Sequence, residues 1–211
     1  MNDLTTGRRG SEDVGEVFHY FGYGSLVNAA TRPQSQTVIP ARLTGYRRAW
    51  RVTSRRSLMS GTCSLTIVAA EPGAVVKGVL AREAVASLPT LDRRERHYDR
   101  LTVGRDQVAP ETSDRHPGEA YVYRVKQRHD RYGDRRFPVL QSYVDCVLQG
   151  YLKVFGEQGV ADFMATTDGW HVPVLDDRDE PLYPRAQTLT DEERTLVDDA
   201  LSTAGAVRFN R

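Results

Sequence analysis

The sequence predicts an α+β fold in which strands occupy the first part of the chain and helices the last third. Residues 120–125 are rich in strand-forming side chains, and Tyr121, Tyr123 and Val125 fall on one face of that strand. At 142–155, apolar residues recur at steps of three and four, the period of an amphipathic helix. This order of periods favours a mostly antiparallel or mixed sheet with helices added after it.

The first predicted strand is the short apolar and aromatic run at 17–21, which ends in a glycine-rich turn. One helical turn is expected at 29–32, where Pro33 stops it. A short helix interrupted near Pro89 is expected at 83–94. Further runs of strand-forming residues predict strands at 41–53, 63–70, 74–81, 101–105 and 119–126.

The helical last third begins with the amphipathic segment 142–155. Gly156 and Gly159 punctuate it, and a further short helical turn is expected at 160–164. A long loop with three prolines is expected at 168–184.

A last helix is predicted from a capping box, in which Thr190 is the N-cap and Glu193 reaches back to it. Its expected buried face consists of Leu196, Val197, Ala200 and Leu201.

Length and composition restrict the class of protein. The chain has 211 residues, 39% of them hydrophobic, and shows no internal repeat or linker. We therefore expect a single domain at 17–211, preceded by a polar, disordered tail at 1–16. The apolar runs stay well short of the ~18 residues of a membrane span, and no signal peptide is apparent, so a cytoplasmic protein without a membrane partner is expected.

Charge argues against a nucleic-acid partner. All but three of the 29 basic residues are arginine, yet 28 acidic residues reduce the net charge to +1 and interleave with them. A mixed, solvated surface is the simplest interpretation. Cys63 and Cys146 lie among apolar neighbours and are expected to be small buried residues. The five histidines lack metal-ligand spacing, so no metal is expected.

The turn after the first strand is the strongest candidate site. Alternating glycines let the backbone approach a ligand and point N–H groups at an anion or a carbonyl. The turn has neither dinucleotide-binding spacing nor the lysine of a phosphate loop, and it lacks the second glycine of a hydrolase elbow. An ordinary strand-to-helix turn is the alternative. The candidate binding residues are Gly22, Tyr23, Gly24, Ser25 and Leu26.

Three motifs occur in the order typical of one family. They are YFGYGSL at 20–26, ARLTGYRRAW at 41–50 and LDRRERHYDR at 91–100. Together they resemble the gamma-glutamylcyclotransferase-like superfamily over a core of about 18–126, with a looser match in the helical part at 140–211.

The resemblance implies a small mixed β-barrel flanked by helices, with a pocket at the first turn. Members cyclise a γ-glutamyl group: the substrate's own α-amine attacks its γ-amide carbonyl, which yields 5-oxoproline and a free amine, amino acid or dipeptide. The resemblance implies no cofactor. The expected partner is a small γ-glutamyl substrate, and a homodimer is left open.

Glu95 matches the catalytic position of the family. Ring closure is intramolecular, so the substrate itself supplies proximity. A single carboxylate can take a proton from the ammonium and deliver it to the leaving amine, provided that a dry pocket raises its pKa. The turn amides from Tyr23 to Leu26 would hold the γ-glutamyl oxygens. The alternative is an exposed acid at a helix end, paired with Arg93, Arg94 or Arg100.

Further candidates surround Glu95 in sequence. Tyr98 and Tyr123 are expected either to bind substrate or to belong to the core. Arg100 would pair with an acid or with a substrate carboxylate. His97 lies two residues after Glu95, a spacing that points the two side chains apart.

The sequence leaves the substrate open. Leu26 stands where the animal gamma-glutamylcyclotransferases carry asparagine, which favours the ChaC-like and γ-glutamylamine branches. Tyr46 replaces the tryptophan that is usual in the ChaC-like pattern, so glutathione, other γ-glutamyl peptides and amines all remain candidates. The competing hypothesis is a non-catalytic, ligand-binding or regulatory member of the same fold.

Overall fold

The computed structural model describes residues 16–32, 36, 38–55, 57, 61–111 and 118–210. Apart from Glu16, the predicted tail at 1–16 lies outside these residues. Glu16 is tied to the fold, because its carbonyl accepts a hydrogen bond of 2.8 Å from the amide of Val85.

The described strands form two six-stranded sheets. The strands of the first sheet are β1 (Val17–Gly22), β2 (Val38–Thr44), β5 (Val75–Ala84), β6 (Tyr98–Val103), β7 (Val108–Pro110) and β8 (Ala120–Val125). Those of the second are β3 (Tyr46–Arg55), β4 (Gly61–Ala69), β9 (Val139–Leu140), β10 (Thr167–Asp168), β11 (Val174–Leu175) and β12 (Arg208–Phe209). Their orders are β6-β8-β1-β5-β2-β7 and β10-β3-β4-β9-β11-β12.

Both sheets are mixed. The central strand β1 runs antiparallel to β5 and parallel to β8, and β4 runs antiparallel to β3 and parallel to β9. The α+β class with C-terminal helices is therefore confirmed. The predicted mixed barrel corresponds to these two sheets, which contact each other where β4 meets β8: the amide of Val125 donates to Thr66 Oγ1 at 2.9 Å.

The strand predicted at 41–53 is in fact two strands. Gly45 separates β2 from β3 with a φ of 83°, a left-handed conformation that glycine adopts without a steric penalty. The sequence pattern did not indicate this turn, because a single residue between the two strands hardly interrupts the alternation of apolar residues.

Three helices follow from local signals. The helix expected at 83–94 begins later, as α1 (Leu88–Arg94), because β5 continues to Ala84 and a 3₁₀ turn intervenes. The pieces predicted on either side of Gly156 belong to α2 (Gln141–Ala165), which Gly156 interrupts with a φ of 67°. The capping box of Thr190 and Glu193 is confirmed at the start of α3 (Asp191–Thr203).

The main core lies between the sheets and α2, which buries Val144, Val147, Leu148 and Tyr151 completely. Cys63 and Cys146 are buried and unpaired, as predicted, and burial raises the pKa of each thiol to about 12. Within the described part of the chain, no helix combines the length and the apolar character needed to cross a membrane.

Candidate active site

A cavity of about 40 Å³ lies where β1, β4, α1 and α2 meet. Of the predicted site residues, it collects every one except Gly22. Its lining consists of Phe21, Tyr23, Gly24, Ser25, Leu26, Leu65, Glu95, Tyr98, Tyr123 and Tyr143. This volume corresponds to no more than a few water molecules.

The glycine-rich turn begins where β1 ends. Gly22 still pairs with Val79 of β5, and a 3₁₀ turn at Ser25–Val27 follows. A side chain at Gly22 would place Cβ 2.8 Å from that of Leu26, so the turn closes this tightly only with glycine there. The amide of Val27 donates to the carbonyl of Gly24 at 2.9 Å. The amides that precede it start the turn, where N–H groups lack acceptors within the helix.

Helix α2 packs against this turn and forms hydrogen bonds with it. The buried side chain of Asn28 donates to the carbonyl of Cys146 at 2.9 Å and to Gln149 Oε1 at 3.0 Å. Gly150 allows this approach, because a Cβ there would lie 2.7 Å from the backbone nitrogen of Asn28. The hydroxyl of Tyr151 lies 2.9 Å from the carbonyl of Tyr23. The turn is therefore positioned by tertiary contacts with α2.

Glu95 enters the cavity from the end of α1. It is the C-cap residue: its amide donates to the carbonyl of Leu91 at 2.9 Å, and its own carbonyl accepts from the amide of Tyr98 at 2.8 Å. This tight connection between α1 and β6 directs the side chain inward, where only 15% of it is exposed. Glu95 thus lies in the cavity at the end of α1. It is paired with Arg94, as one part of the alternative expected, but it is not an exposed acid.

The electrostatic surroundings of Glu95 act in opposite directions. Burial raises its pKa, and the guanidinium groups of Arg94 and Arg185 partly oppose this. Arg94 Nε lies 3.2 Å from Glu95 Oε1, and Arg94 is itself anchored by a 3.0 Å hydrogen bond to the carbonyl of Thr31. The net effect is a carboxyl group with a pKa above its ordinary value, as proton transfer near neutral pH requires.

Two tyrosines beside Glu95 direct their protons elsewhere. Tyr23 donates to the carbonyl of Tyr123 at 2.5 Å, and Tyr98 donates to the carbonyl of Leu65 at 2.7 Å. Burial raises the pKa of both phenols, and the charge of Glu95 adds to the effect. Since neither proton is available to the carboxylate of Glu95, these hydroxyls do not counter the effect of burial on its pKa.

Tyr123 and Arg100 meet outside the cavity at Asp92. The hydroxyl of Tyr123 donates to Asp92 Oδ1 at 2.7 Å, and Arg100 Nη1 lies 2.5 Å from Asp92 Oδ2. The hydroxyl of Tyr123 is thus occupied by Asp92, while Arg100 takes the first of its two predicted roles, pairing with an acid. His97 faces His129, with 3.3 Å between Nδ1 and Nε2.

Sequence reasoning missed Tyr143, Leu65 and Phe21 in the lining. Tyr143 stands in the first turn of α2, and its hydroxyl lies 3.1 Å from where a Cβ at Gly24 would be. No local pattern relates it to a turn more than a hundred residues earlier. Among the described residues, no group of three or more His, Cys, Asp and Glu side chains is arranged to hold a metal ion.

Comparisons with solved structures identify the fold. A protein titled "Gamma-glutamyl cyclotransferase" is 17% identical with a TM-score of 0.55, and the match covers 87% of this chain and 99% of that one. An uncharacterized protein from Homo sapiens is 19% identical with a TM-score of 0.57 and the same coverage. YkqA from Bacillus subtilis is 21% identical with a TM-score of 0.53, over 72% of this chain and 56% of its own.

At these identities the solved structures establish the fold alone. A search of curated proteins returns no match. The family described as "Gamma-glutamyl cyclotransferase, AIG2-like" matches residues 20–142, which is more than half of the chain and spans the turn, Glu95 and the start of α2. The chain therefore belongs to the AIG2-like gamma-glutamyl cyclotransferase family.

Proposed function

We propose that the protein is a γ-glutamyl cyclotransferase with Glu95 as its general acid and base. The observation that carries this proposal is the place of Glu95: its carboxyl group lies in the same small cavity as the glycine-rich turn, where burial raises its pKa. The family membership supports the same reaction class.

The proposed reaction needs two protons moved in turn from the α-amine nitrogen to the leaving nitrogen. Glu95 takes a proton from the α-ammonium of the substrate, and the freed amine attacks the γ-amide carbonyl carbon to form a C–N bond. The protonated Glu95 then gives the proton to the leaving nitrogen as the original amide bond breaks. The ring nitrogen, which still carries two hydrogens, then gives its second proton to the Glu95 carboxylate, which passes it to the released amine. Proton count and charge then balance, and the products are 5-oxoproline and a protonated amine or an amino acid.

The turn serves the second requirement of this reaction. The carbonyl oxygen becomes negative in the tetrahedral intermediate, and backbone N–H groups fixed beside it stabilise that charge without reorganising. The amides of Ser25 and Leu26, at the start of the 3₁₀ turn, are the donors that we assign to this role. The contacts of Asn28 and Tyr151 keep them in place.

The test is release of 5-oxoproline from glutathione, γ-glutamyl-alanine and γ-glutamyl-lysine, followed by chromatography. We expect at least one substrate to react, and Glu95→Gln to lower kcat roughly 100- to 10,000-fold with the fold intact, the usual contribution of general acid–base catalysis. Glu157→Gln is the matched control, because Glu157 is an exposed residue of α2.

Full activity of Glu95→Gln would contradict the mechanism. If no γ-glutamyl compound reacts but one of them binds, the chain is instead a ligand-binding member of the family.

A further inference from the structure

An unpaired arginine stands beside the cavity. Arg185 is half-buried and forms no ion pair with any described residue. Its guanidinium carbon lies 5.9 Å from the ring centre of Tyr183, and the Tyr183 ring lies 4.9 Å from that of Tyr143, which lines the cavity. A continuous path of side chains thus leads from Arg185 to the candidate active site.

Arg94 and Arg185 lie near the same three groups. The charges of both act on Glu95, Cys146 and Tyr183, so both guanidinium groups are close to one region beside the cavity. Arg94 is already occupied by Glu95 and the carbonyl of Thr31. Of these two arginines, only Arg185 has no ion pair among the described residues, so its guanidinium group is free to bind an anionic group.

Tyr183 adds an unused polar group at the same place. Its hydroxyl is buried close to Ser25, yet it has no hydrogen-bond partner of acceptable geometry among the described residues. A buried hydroxyl without a partner is unfavourable unless a ligand or water supplies one. A guanidinium group and a phenol that can donate together match the oxygens of a carboxylate.

We propose that Arg185, assisted by Tyr183, binds a carboxylate on the leaving group, so that the enzyme selects γ-glutamyl amino acids and peptides over γ-glutamyl amines. This inference rests on the proposed function. With the γ-glutamyl group at the turn and the leaving nitrogen at Glu95, whatever is attached to that nitrogen extends beyond Glu95. In a γ-glutamyl amino acid, the carboxylate carbon is two bonds from this nitrogen, and we assign its binding to Arg185, which lies near Glu95 and has no ion pair among the described residues.

The experiment compares γ-glutamyl-alanine with γ-glutamyl-alaninamide, which has the same shape but lacks the negative charge. The ratio of their kcat/KM values is measured for the native enzyme, Arg185→Gln, Arg185→Lys and Arg194→Gln. Arg194 is an exposed arginine of α3, far along the chain from the turn, and serves as the matched control. Any change in Glu95 titration that follows loss of the Arg185 charge affects both substrates alike and cancels in the ratio.

We expect the native enzyme to favour the carboxylate substrate about 10- to 100-fold, the range of a charge-assisted hydrogen bond, mainly through KM. Arg185→Gln should bring the ratio close to one, Arg185→Lys should retain part of the preference, and Arg194→Gln should leave the ratio unchanged. A ratio that Arg185→Gln does not alter, or a native enzyme without preference, overturns this inference while 5-oxoproline release upholds the proposed function. Failure of both substrates to release 5-oxoproline overturns this inference and also contradicts the proposed function for these substrates.

Discussion

At the scale of single residues, the surroundings of Glu95 matter more than its identity. Its carboxyl group is largely enclosed, and nearby phenols send their protons to backbone carbonyls. The ion pair with Arg94 keeps the pKa from rising as far as burial alone would raise it. A carboxyl group whose pKa is raised by burial and lowered by Arg94 can both accept and donate a proton. Keeping it buried lowers the stability of the fold.

This arrangement predicts a pH-dependent difference in stability between the native protein and Glu95→Gln. Because the pKa of Glu95 is raised on folding, the folded state holds the proton more tightly than the unfolded state. The stability that comes from burying the neutral carboxyl is therefore complete below the ordinary pKa and is lost as pH rises through the folded pKa. Glutamine at this position remains neutral, so the variant does not lose stability in this way as pH rises.

Thermal unfolding of both proteins at a pH of about 4 and of about 8 measures this difference. We expect similar melting temperatures at the lower pH, and at the higher pH a melting temperature for Glu95→Gln above the native one by about 2–4 °C, the effect of ~1 kcal/mol in a chain of this size. A variant that is less stable than the native protein at the higher pH would show that the ionised carboxylate is stabilised where it lies.

At the scale of elements, the contact between α2 and the glycine-rich turn decides the shape of the site. The residues in the first half of α2 are mostly buried. They include polar residues such as Gln149, which accepts a hydrogen bond from Asn28. Gly150 permits the close approach, since its position faces the backbone of Asn28 directly. The position of the glycine-rich turn therefore depends on a helix that comes more than a hundred residues later.

Gly150→Ala should separate α2 from the turn. A new Cβ would lie 2.7–2.9 Å from three atoms of Asn28, and overpacking of this kind costs about 1–3 kcal/mol, against a gain of ~1 kcal/mol in helix propensity. We expect lower stability in urea unfolding and a lower kcat/KM for 5-oxoproline release. Gly73→Ala is the matched control, because no atom lies within 4 Å of a Cβ at that position. Native stability and activity in Gly150→Ala would mean that α2 does not hold the turn.

At the scale of the whole molecule, polar side chains connect the sheets and α2, which the backbone hydrogen bonds between strands do not connect. Arg48 is fully buried, donates to Thr167 Oγ1 and the carbonyl of Lys77 at 3.0 Å, and stacks 4.4 Å from the Phe163 ring. Other arginines pair with acids, in keeping with the interleaved charges of the sequence. The partly exposed pairs include Arg47–Asp168, Arg51–Asp130, Arg100–Asp92 and Arg208–Asp198, whereas Arg178 pairs with the buried Asp145.

Thr66→Val tests the connection between the two sheets. Valine keeps the shape of threonine but leaves the buried amide of Val125 without its acceptor, which costs about 1–3 kcal/mol. Urea unfolding should show this loss at an unchanged m-value. Thr102→Val, at an exposed position of β6, should stay within about 0.5 kcal/mol of the native protein. Equal effects of the two substitutions would indicate that the hydrogen bond to Thr66 is not what joins the sheets.

Much of the fold was predictable because its signals are local. The strand and turn at 17–26, the two helical pieces around Gly156 and the capping box of Thr190 each depend on a few neighbouring residues. The turn at Gly45 was missed, since one residue between two apolar strands leaves the alternation almost intact. The short strands β9 to β12 were missed as well, because two residues are too few to show a period.

By itself, the sequence determined the fold class, the family resemblance and the acid most suited to the proposed reaction, because the motifs around Gly22 and Glu95 are short stretches in which residue type and spacing are visible. Only the tertiary structure decided what surrounds that acid. Tyr143, Arg185 and Asn28 act on the site across long sequence separations, and such contacts arise from the packing of α2 and the loop after it onto the sheets. Burial, and with it the direction in which the pKa of Glu95 moves, is a property of that packing.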